Sequence, residues 1–351
     1  MPTALPEADN LPLAAHPFDN LAWLEEVGRR PRYEHGWDID LAPLAEQEAV
    51  QLEPWVGTTG DKSVERVETL IAVSQKVSGL VFPTVLRKKV EQFRQQDDEG
   101  AMLLPWFWMP QELRNYVPQS PEFPDQIRAG RTLAVMTLAI ASLFGYPFNY
   151  KSNPRGAGSI VTSAATLANA PPRSLAGPGE FDLHAEVVGG EIRPDYLVLL
   201  CVRGLTHTRT FVVPPKRVIE RVDSVTLAKL AEKVYKTKDG LVPDSDTEPH
   251  SVIALMNNSK RPSLNFAEGL TKPFYPEDDG AAQALAKLGE VLADPDIKTV
   301  HTLQKGNALV IRNDGLHGRT APGDPGQSPR WMVRAYVRDS QDPRQRGVPF
   351  V

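Results

Sequence analysis

One cysteine in 351 residues excludes an intrachain disulfide. That residue, Cys201, sits inside the apolar run Tyr196-Leu-Val-Leu-Leu-Cys-Val, which predicts a buried, inert thiol. No basic segment followed by an apolar core opens the chain, so a signal peptide is not expected and a reducing cytoplasmic compartment is. In that setting the sequon at Asn257 has no consequence. Long hydrophobic runs are missing as well. The most apolar helical stretch, Leu133 to Phe148, carries Thr137 and Ser142 and falls short of the roughly 20 residues of a membrane span. Basic clusters are scarce. With a net charge of −5 and a pI of about 5.9, neither nucleic acid nor membrane is an expected partner. The densest basic run, Arg87-Lys88-Lys89, fits the solvated face of a helix. A Gly-x-Ser-x-Gly elbow, a His-Glu-x-x-His pair, a phosphate loop and a paired-cysteine motif are all absent, which argues against hydrolase chemistry.

What is present is the composition of a globular protein, 41% hydrophobic and 24% charged. Residues 1–60, rich in Pro, Asp, Glu and Trp, read as a tail followed by a wrapping segment. Residues 61–351 read as a single domain with helical insertions. Helical patterns cover Ser63 to Gly79, Pro83 to Gln96, Arg131 to Phe144, 224–236 and 281–293. Strand patterns cover Ala101 to Trp108, 196–203, 208–213, 251–256, 298–303, 307–312 and 331–338. Many short strands punctuated by turns predict a mainly β fold, a sandwich or jelly roll with helices packed outside it. A Gly/Pro/Ser/Ala-rich connection spans 149–180; with 237–275 it is the expected lid region.

The chemistry is carried by few residues. His184 and Glu186 stand two apart, a spacing that points both side chains to one face of a strand. With 7 histidines and 44 acids, one such pair is roughly the chance expectation, so the dipeptide alone better fits a surface strand or turn. His317 follows an apolar strand and an Asn313-Asp-Gly turn, and alone equally fits a loop histidine bonded to that turn. Two histidines and one carboxylate together form a facial set that leaves half of an iron coordination sphere open. Arg330, Arg334 and Arg338 share a strand face with Met332 and Tyr336. Arginine on a core strand is costly unless an anion pairs with it, and a guanidinium clamps a carboxylate in two-pronged fashion.

The run His184-Ala-Glu-Val-Val-Gly-Gly-Glu-Ile-Arg-Pro-Asp-Tyr196, with Asn313-Asp-Gly-Leu-His317-Gly-Arg-Thr and Arg330-Trp-Met-Val-Arg334, resembles the clavaminate synthase-like Fe(II)/2-oxoglutarate oxygenases over roughly residues 80 to 345. That group includes free-amino-acid hydroxylases of antibiotic pathways acting on arginine and asparagine. The resemblance implies a double-stranded β-helix with flanking helices. It implies His184, Glu186 and His317 as iron ligands, and Arg330 as the clamp on 2-oxoglutarate. Thr210 would help from the neighbouring strand, or Thr208 if the pairing slips. Arg334, Asn149 and Glu268 would meet the substrate, Arg334 its carboxylate and Asn149 its amino group. This chain departs from the pattern in having Ala185 between the first two ligands and Val187-Val188-Gly189-Gly190 after them. The acids that grip a guanidinium elsewhere are reduced to Glu268, so an arginine substrate is not expected. The chemistry implied consumes O2 and 2-oxoglutarate, yields succinate and carbon dioxide, and hydroxylates an unactivated C–H bond of an amino-acid-like small molecule. Glu186 argues against halogenation. Desaturation or ring closure, a carrier-tethered or peptidyl substrate, and a non-catalytic β-sandwich binding protein are the alternatives.

Overall fold

The computed structural model describes residues 41–54, 61–96, 99–104, 107, 109–114, 116, 118, 122–149, 160–167, 170, 177–188, 193–237, 251–257, 261–322 and 330–339. The expected N-terminal tail, and much of the two expected lid regions, therefore lie outside the described residues. In chain order the elements are α1 (Leu41–Ala49), α2 (Asp61–Val81), α3 (Thr84–Gln95), β1 (Ala101–Leu104), α4 (Arg128–Ala141), β2 (Tyr146–Phe148), β3 (Thr162–Ala165), β4 (Phe181–His184), β5 (Tyr196–Arg203) and β6 (Thr210–Val213). There follow α5 (Pro215–Ile219), α6 (Ser224–Leu230), β7 (Tyr235–Thr237), β8 (Ser251–Ile253), β9 (Met256–Asn257), β10 (Ser263–Leu264), β11 (Lys272–Pro273), α7 (Asp279–Ala293), β12 (Thr299–His301), β13 (Ala308–Arg312), β14 (Leu316–Arg319) and β15 (Trp331–Arg338).

Two antiparallel sheets hold the site between them. The larger runs β1-β13-β5-β15-β2, with β3 also paired to β15, and the smaller runs β12-β6-β14-β4. The period-2 pattern of the central strands explains the layering. Tyr196, Val198, Leu200 and Val202 point to one cluster, which also contains Val310, Trp331, Val333, Ala335 and Val337. Leu197, Leu199 and Cys201 point to another, with Leu309, Ile311, Met332 and Tyr336. The first cluster packs on α1 to α4; the second faces the smaller sheet, from which Val212 joins it. A sheet covered on both faces needs apolar residues at almost every position, which is why β5, β13 and β15 read as continuous hydrophobic runs. The outer face of the smaller sheet, through Leu183, Val213 and Leu316, packs on α6 and α7.

The helix α4 is buried almost all round. Its two threonine hydroxyls cost little, because Thr132 and Thr137 donate to the carbonyls of Arg128 and Leu133 at 3.1 and 2.7 Å. Gly145 ends the following turn against β15: a Cβ there would lie 1.9 Å from the Arg338 carbonyl oxygen. Trp331, fully buried, donates its indole N–H to Ser163 of β3 at 3.1 Å.

Three sequence expectations change. The connection 149–180 contains β3, a four-residue strand whose Thr-Ser-Ala-Ala sequence has no apolar alternation to announce it. The helix expected over 224–236 stops at Leu230, and Tyr235 starts a strand. Residues 41–54, expected to wrap, place Leu41, Ala45, Ala49 and Leu52 in the main core beside α4. Cys201 is fully buried, and burial pushes its thiol up to about 12. Among the described residues no single helix is long and apolar enough to cross a membrane.

Candidate metal centre

His184 ends β4, and its strand partner on β14 is His317. The pairing is irregular: Arg319 lies opposite Phe181, so four residues of β4 (181–184) span three of β14 (317–319). Such a bulge re-aims side chains. Here it turns both Phe181 and His184 inward, with their rings 4.3 Å apart edge-on. Gly318 permits the close approach, since a Cβ there would stand 2.7 Å from the Phe181 carbonyl oxygen.

Glu186 is not on the strand, as its spacing from His184 suggested; it lies in a turn that follows β4. Its position is set by Asn313, buried just after β13. The Glu186 N–H donates to Asn313 Oδ1 at 2.7 Å, and Asn313 Nδ2 donates to the carbonyls of Glu186 and Pro194 at 3.1 and 2.9 Å. The next residue, Val187, has φ of 55°, a left-handed conformation that a β-branched side chain rarely adopts. A strained turn persists only where its surroundings over-determine it. The Asn313 clamp is that surrounding.

His184, Glu186 and His317 bring one donor atom each to within 4.8 Å of the others. Glu186 Oε1 is 3.8 Å from His184 Nε2 and 3.4 Å from His317 Nε2. His184 Nδ1 lies 2.7 Å from the Asp182 carbonyl oxygen, which accepts its proton and makes Nε2 the nitrogen available to a metal. Burial, with His184 adding to it, pulls His317 down to about 4, so that imidazole is neutral at pH 7. Burial alone would raise the Glu186 carboxyl. Arg334 and the two imidazoles outweigh burial and hold it well below the usual carboxylate range. Two imidazoles and a carboxylate thus converge on one point. That donor set fits a divalent transition metal.

Glu186 and His317 line a narrow cavity of about 30 Å³ between the sheets. Leu197, Leu199 and Met332 form its apolar wall, and Thr210, Arg319, Arg330 and Arg334 bring polar groups to it. Arg330 is 5% exposed and donates to the Thr210 hydroxyl at 3.5 Å. Among the described residues no carboxylate pairs with it, and burial brings its pKa down to about 10, still charged at pH 7. Arg319 instead is held by the carbonyls of Gly177 and Gly179 at 2.7 and 2.6 Å, which ties the lead-in of β4 to β14. Arg334 donates to Glu186 Oε1 at 3.1 Å, and Thr162 of β3 sits opposite it. The Tyr336 hydroxyl lies 2.6 Å from Glu186 Oε2.

The structure therefore brings together His184, Glu186, His317, Thr210, Arg330 and Arg334. Thr208 is buried but is not among the cavity residues. Asn149 is buried directly after β2, whose Phe148 pairs with Tyr336. Glu268 stands apart: it is exposed, and its carboxylate accepts the Leu183 N–H at 3.2 Å. Arg338 lies further along β15 over the Phe148 ring. Asn313, Phe181, Thr162 and the bonding role of Tyr336 were not foreseen; only the shared face of Tyr336 was visible in the spacing. A larger cavity of about 320 Å³, lined by Arg203 and Lys305 among others, contains none of the triad.

Two facing antiparallel sheets with a His/Glu/His cluster and a buried arginine between them define a candidate non-haem metal protein. The chain belongs to the taurine catabolism dioxygenase TauD, TfdA family, whose model matches residues 123–336. It is 27% identical over 135 residues to a uridine-5'-phosphate dioxygenase from a Streptomyces species, covering 36% of this chain and 49% of that protein. It is 25% identical over 174 residues to an L-lysine 3-hydroxylase from Catenulispora acidiphila, covering 47% of each. The chain spans about half the length of the curated relatives it matches. The solved structure of an asparagine oxygenase with Fe(II), 3-hydroxyasparagine and succinate superposes with a TM-score of 0.69 at 22% identity, covering 88% of this chain and 94% of that one. It shares the fold.

Proposed function

We propose that this protein is an Fe(II)- and 2-oxoglutarate-dependent oxygenase that hydroxylates an unactivated C–H bond of an amino acid or amino-acid-derived small molecule. The observation that carries the proposal is the convergence of His184 Nε2, His317 Nε2 and Glu186 Oε1 at the mouth of a cavity that also holds the buried charge of Arg330. Iron held by those three side chains, with 2-oxoglutarate and O2, supplies oxidative decarboxylation to succinate coupled to oxidation of the substrate. The remaining work belongs to the chain. Arg330 and Thr210 hold the distal carboxylate of 2-oxoglutarate, a charge-assisted contact for which a buried guanidinium suits. Arg334 meets the substrate carboxylate, and Asn149 its amino group. Leu197, Leu199 and Met332 keep water from the reacting face.

In this reading the two sheets are halves of a double-stranded β-helix, residues 61–351 form one domain, and the protein works in the cytoplasm, in specialised metabolism such as antibiotic biosynthesis. Glu268 is read as a brace for β4, since its carboxylate caps a β4 N–H. A nucleotide substrate is the second reading, favoured by the uridine-5'-phosphate dioxygenase relative. The test is O2-dependent succinate formation from 2-oxoglutarate with lysine, asparagine, carrier-tethered amino acids and uridine 5'-phosphate, read by mass spectrometry. Stimulation by an amino acid, with one oxygen atom added to it, supports the proposal. Stimulation by the nucleotide alone replaces the substrate class. Succinate formation that no iron chelator suppresses overturns the enzyme reading.

A further inference from the structure

The two oxygens of Glu186 are in different situations. Oε1 faces both imidazole Nε2 atoms, at 3.4 and 3.8 Å, and also receives Arg334 Nη1 at 3.1 Å. Oε2 accepts the Tyr336 hydroxyl at 2.6 Å. The Tyr336 bond is short and charge-assisted, of the strong class of O–H···O⁻ contacts. It is also rigidly mounted. Tyr336 is 2% exposed on a central strand, its ring 6.1 Å from Phe148 and 4.6 Å below the Arg334 guanidinium carbon.

From this we infer that Tyr336 is a positioning residue that restricts Glu186 to ligating iron through one oxygen. The inference rests on the reading of Glu186 as an iron ligand. A carboxylate near a divalent metal can bind through one oxygen or two. Two imidazoles and one carboxylate oxygen leave three of six positions, enough for a chelating 2-oxo acid and O2. A chelating carboxylate leaves two. A hydrogen bond that occupies Oε2 decides between these modes, and orienting a ligand is what such outer contacts do. Asn313 fixes where the Glu186 backbone stands; Tyr336 fixes how its carboxylate is rotated.

Tyr336→Phe removes one oxygen and leaves the ring packed between Phe148 and Arg334, so the fold stands. The experiment is a pair of anaerobic titrations of the full-length protein, Fe(II) first and then 2-oxoglutarate, followed by the visible metal-to-ligand charge-transfer absorption. The expected result is Fe(II) affinity within about threefold of the parent, since the freed oxygen can chelate, and a 2-oxoglutarate half-saturation raised about tenfold or more. In a Glu186→Asp background the carboxylate is one methylene short of the hydroxyl, and Tyr336→Phe is then expected to change neither titration. Identical titrations for parent and Tyr336→Phe overturn the inference while leaving the oxygenase reading intact. So does an effect of Tyr336→Phe that persists in the Glu186→Asp background. A parent protein that binds no Fe(II) removes both.

Discussion

Replacing Asn313 with alanine breaks the clamp on the Glu186 turn, and the structure allows the size of the effect to be worked out. Three hydrogen bonds go: Glu186 N–H to Oδ1 at 2.7 Å, and Nδ2 to the carbonyls of Glu186 and Pro194 at 3.1 and 2.9 Å. All are buried. An unsatisfied buried group costs about 1–3 kcal/mol, and N–H groups tolerate it less than carbonyls. The sum is on the order of 3–5 kcal/mol. Against this, the freed turn can relax the left-handed Val187, whose strain is worth about 1–3 kcal/mol. The net expectation is a loss of about 2 kcal/mol, within a span of about 0–4, in urea denaturation. Fe(II) affinity is expected to fall further than stability alone dictates, by about 10–100-fold, because the turn positions the proposed ligand Glu186. Asn313→Asp keeps the acceptor for the Glu186 N–H and loses the two donated bonds, so it falls between. An Asn313→Ala protein that unfolds at the parental urea concentration and binds Fe(II) with parental affinity refutes the reasoning.

Further expectations follow the same geometry. Gly318→Ala drives a methyl to 2.7 Å from the Phe181 carbonyl oxygen, so β4 must move away from β14. Metal affinity should drop while the far-ultraviolet circular dichroism is unchanged; unchanged affinity contradicts the bulge argument. Arg330→Ala should raise the half-saturation for 2-oxoglutarate about 10–100-fold in the anaerobic titration, in line with about 1.5–3 kcal/mol for a charged hydrogen bond, and leave Fe(II) binding alone. His317 titrates at about 4 in the fold against an ordinary 6.5. The unfolded chain therefore binds more protons between those values, so chelator-treated protein should gain stability as pH rises from 4 to 6.5, by at most about 3 kcal/mol from this group. His317→Gln should flatten that slope in thermal melts, and an unchanged slope counts against a buried neutral imidazole.

How much of this was legible in the sequence depends on the range of the contact. Arg330, Met332, Arg334 and Tyr336 declare a shared face by alternation, and β5, β13 and β15 declare themselves as apolar runs. His184 and His317 were readable as candidates, although only the β4–β14 pairing brings them together. Glu186 reaches the site by a route its spacing did not predict: the strand ends at His184, and a turn with a strained Val187 delivers the carboxylate. Asn313, 127 residues from Glu186, carries no local sign of its clamp beyond belonging to a turn. Tyr336 is 150 residues from the carboxylate it bonds. Glu268 shows the converse failure, an acid in a suggestive segment whose backbone register turns it onto Leu183 rather than into the cavity. β3 escaped notice because Thr162–Ala165 is an edge strand, recognised only through the partner that it pairs with.

In the proposed site, His184, Glu186 and His317 hold iron next to the Arg330 cation that receives 2-oxoglutarate. Anaerobic addition of Fe(II) and then 2-oxoglutarate to the chelator-treated protein tests it most directly. One equivalent of Fe(II) should bind and a visible charge-transfer band should appear on adding 2-oxoglutarate, both abolished in His317→Ala. Folded protein that binds no Fe(II), or that gives the same band without His317, contradicts it.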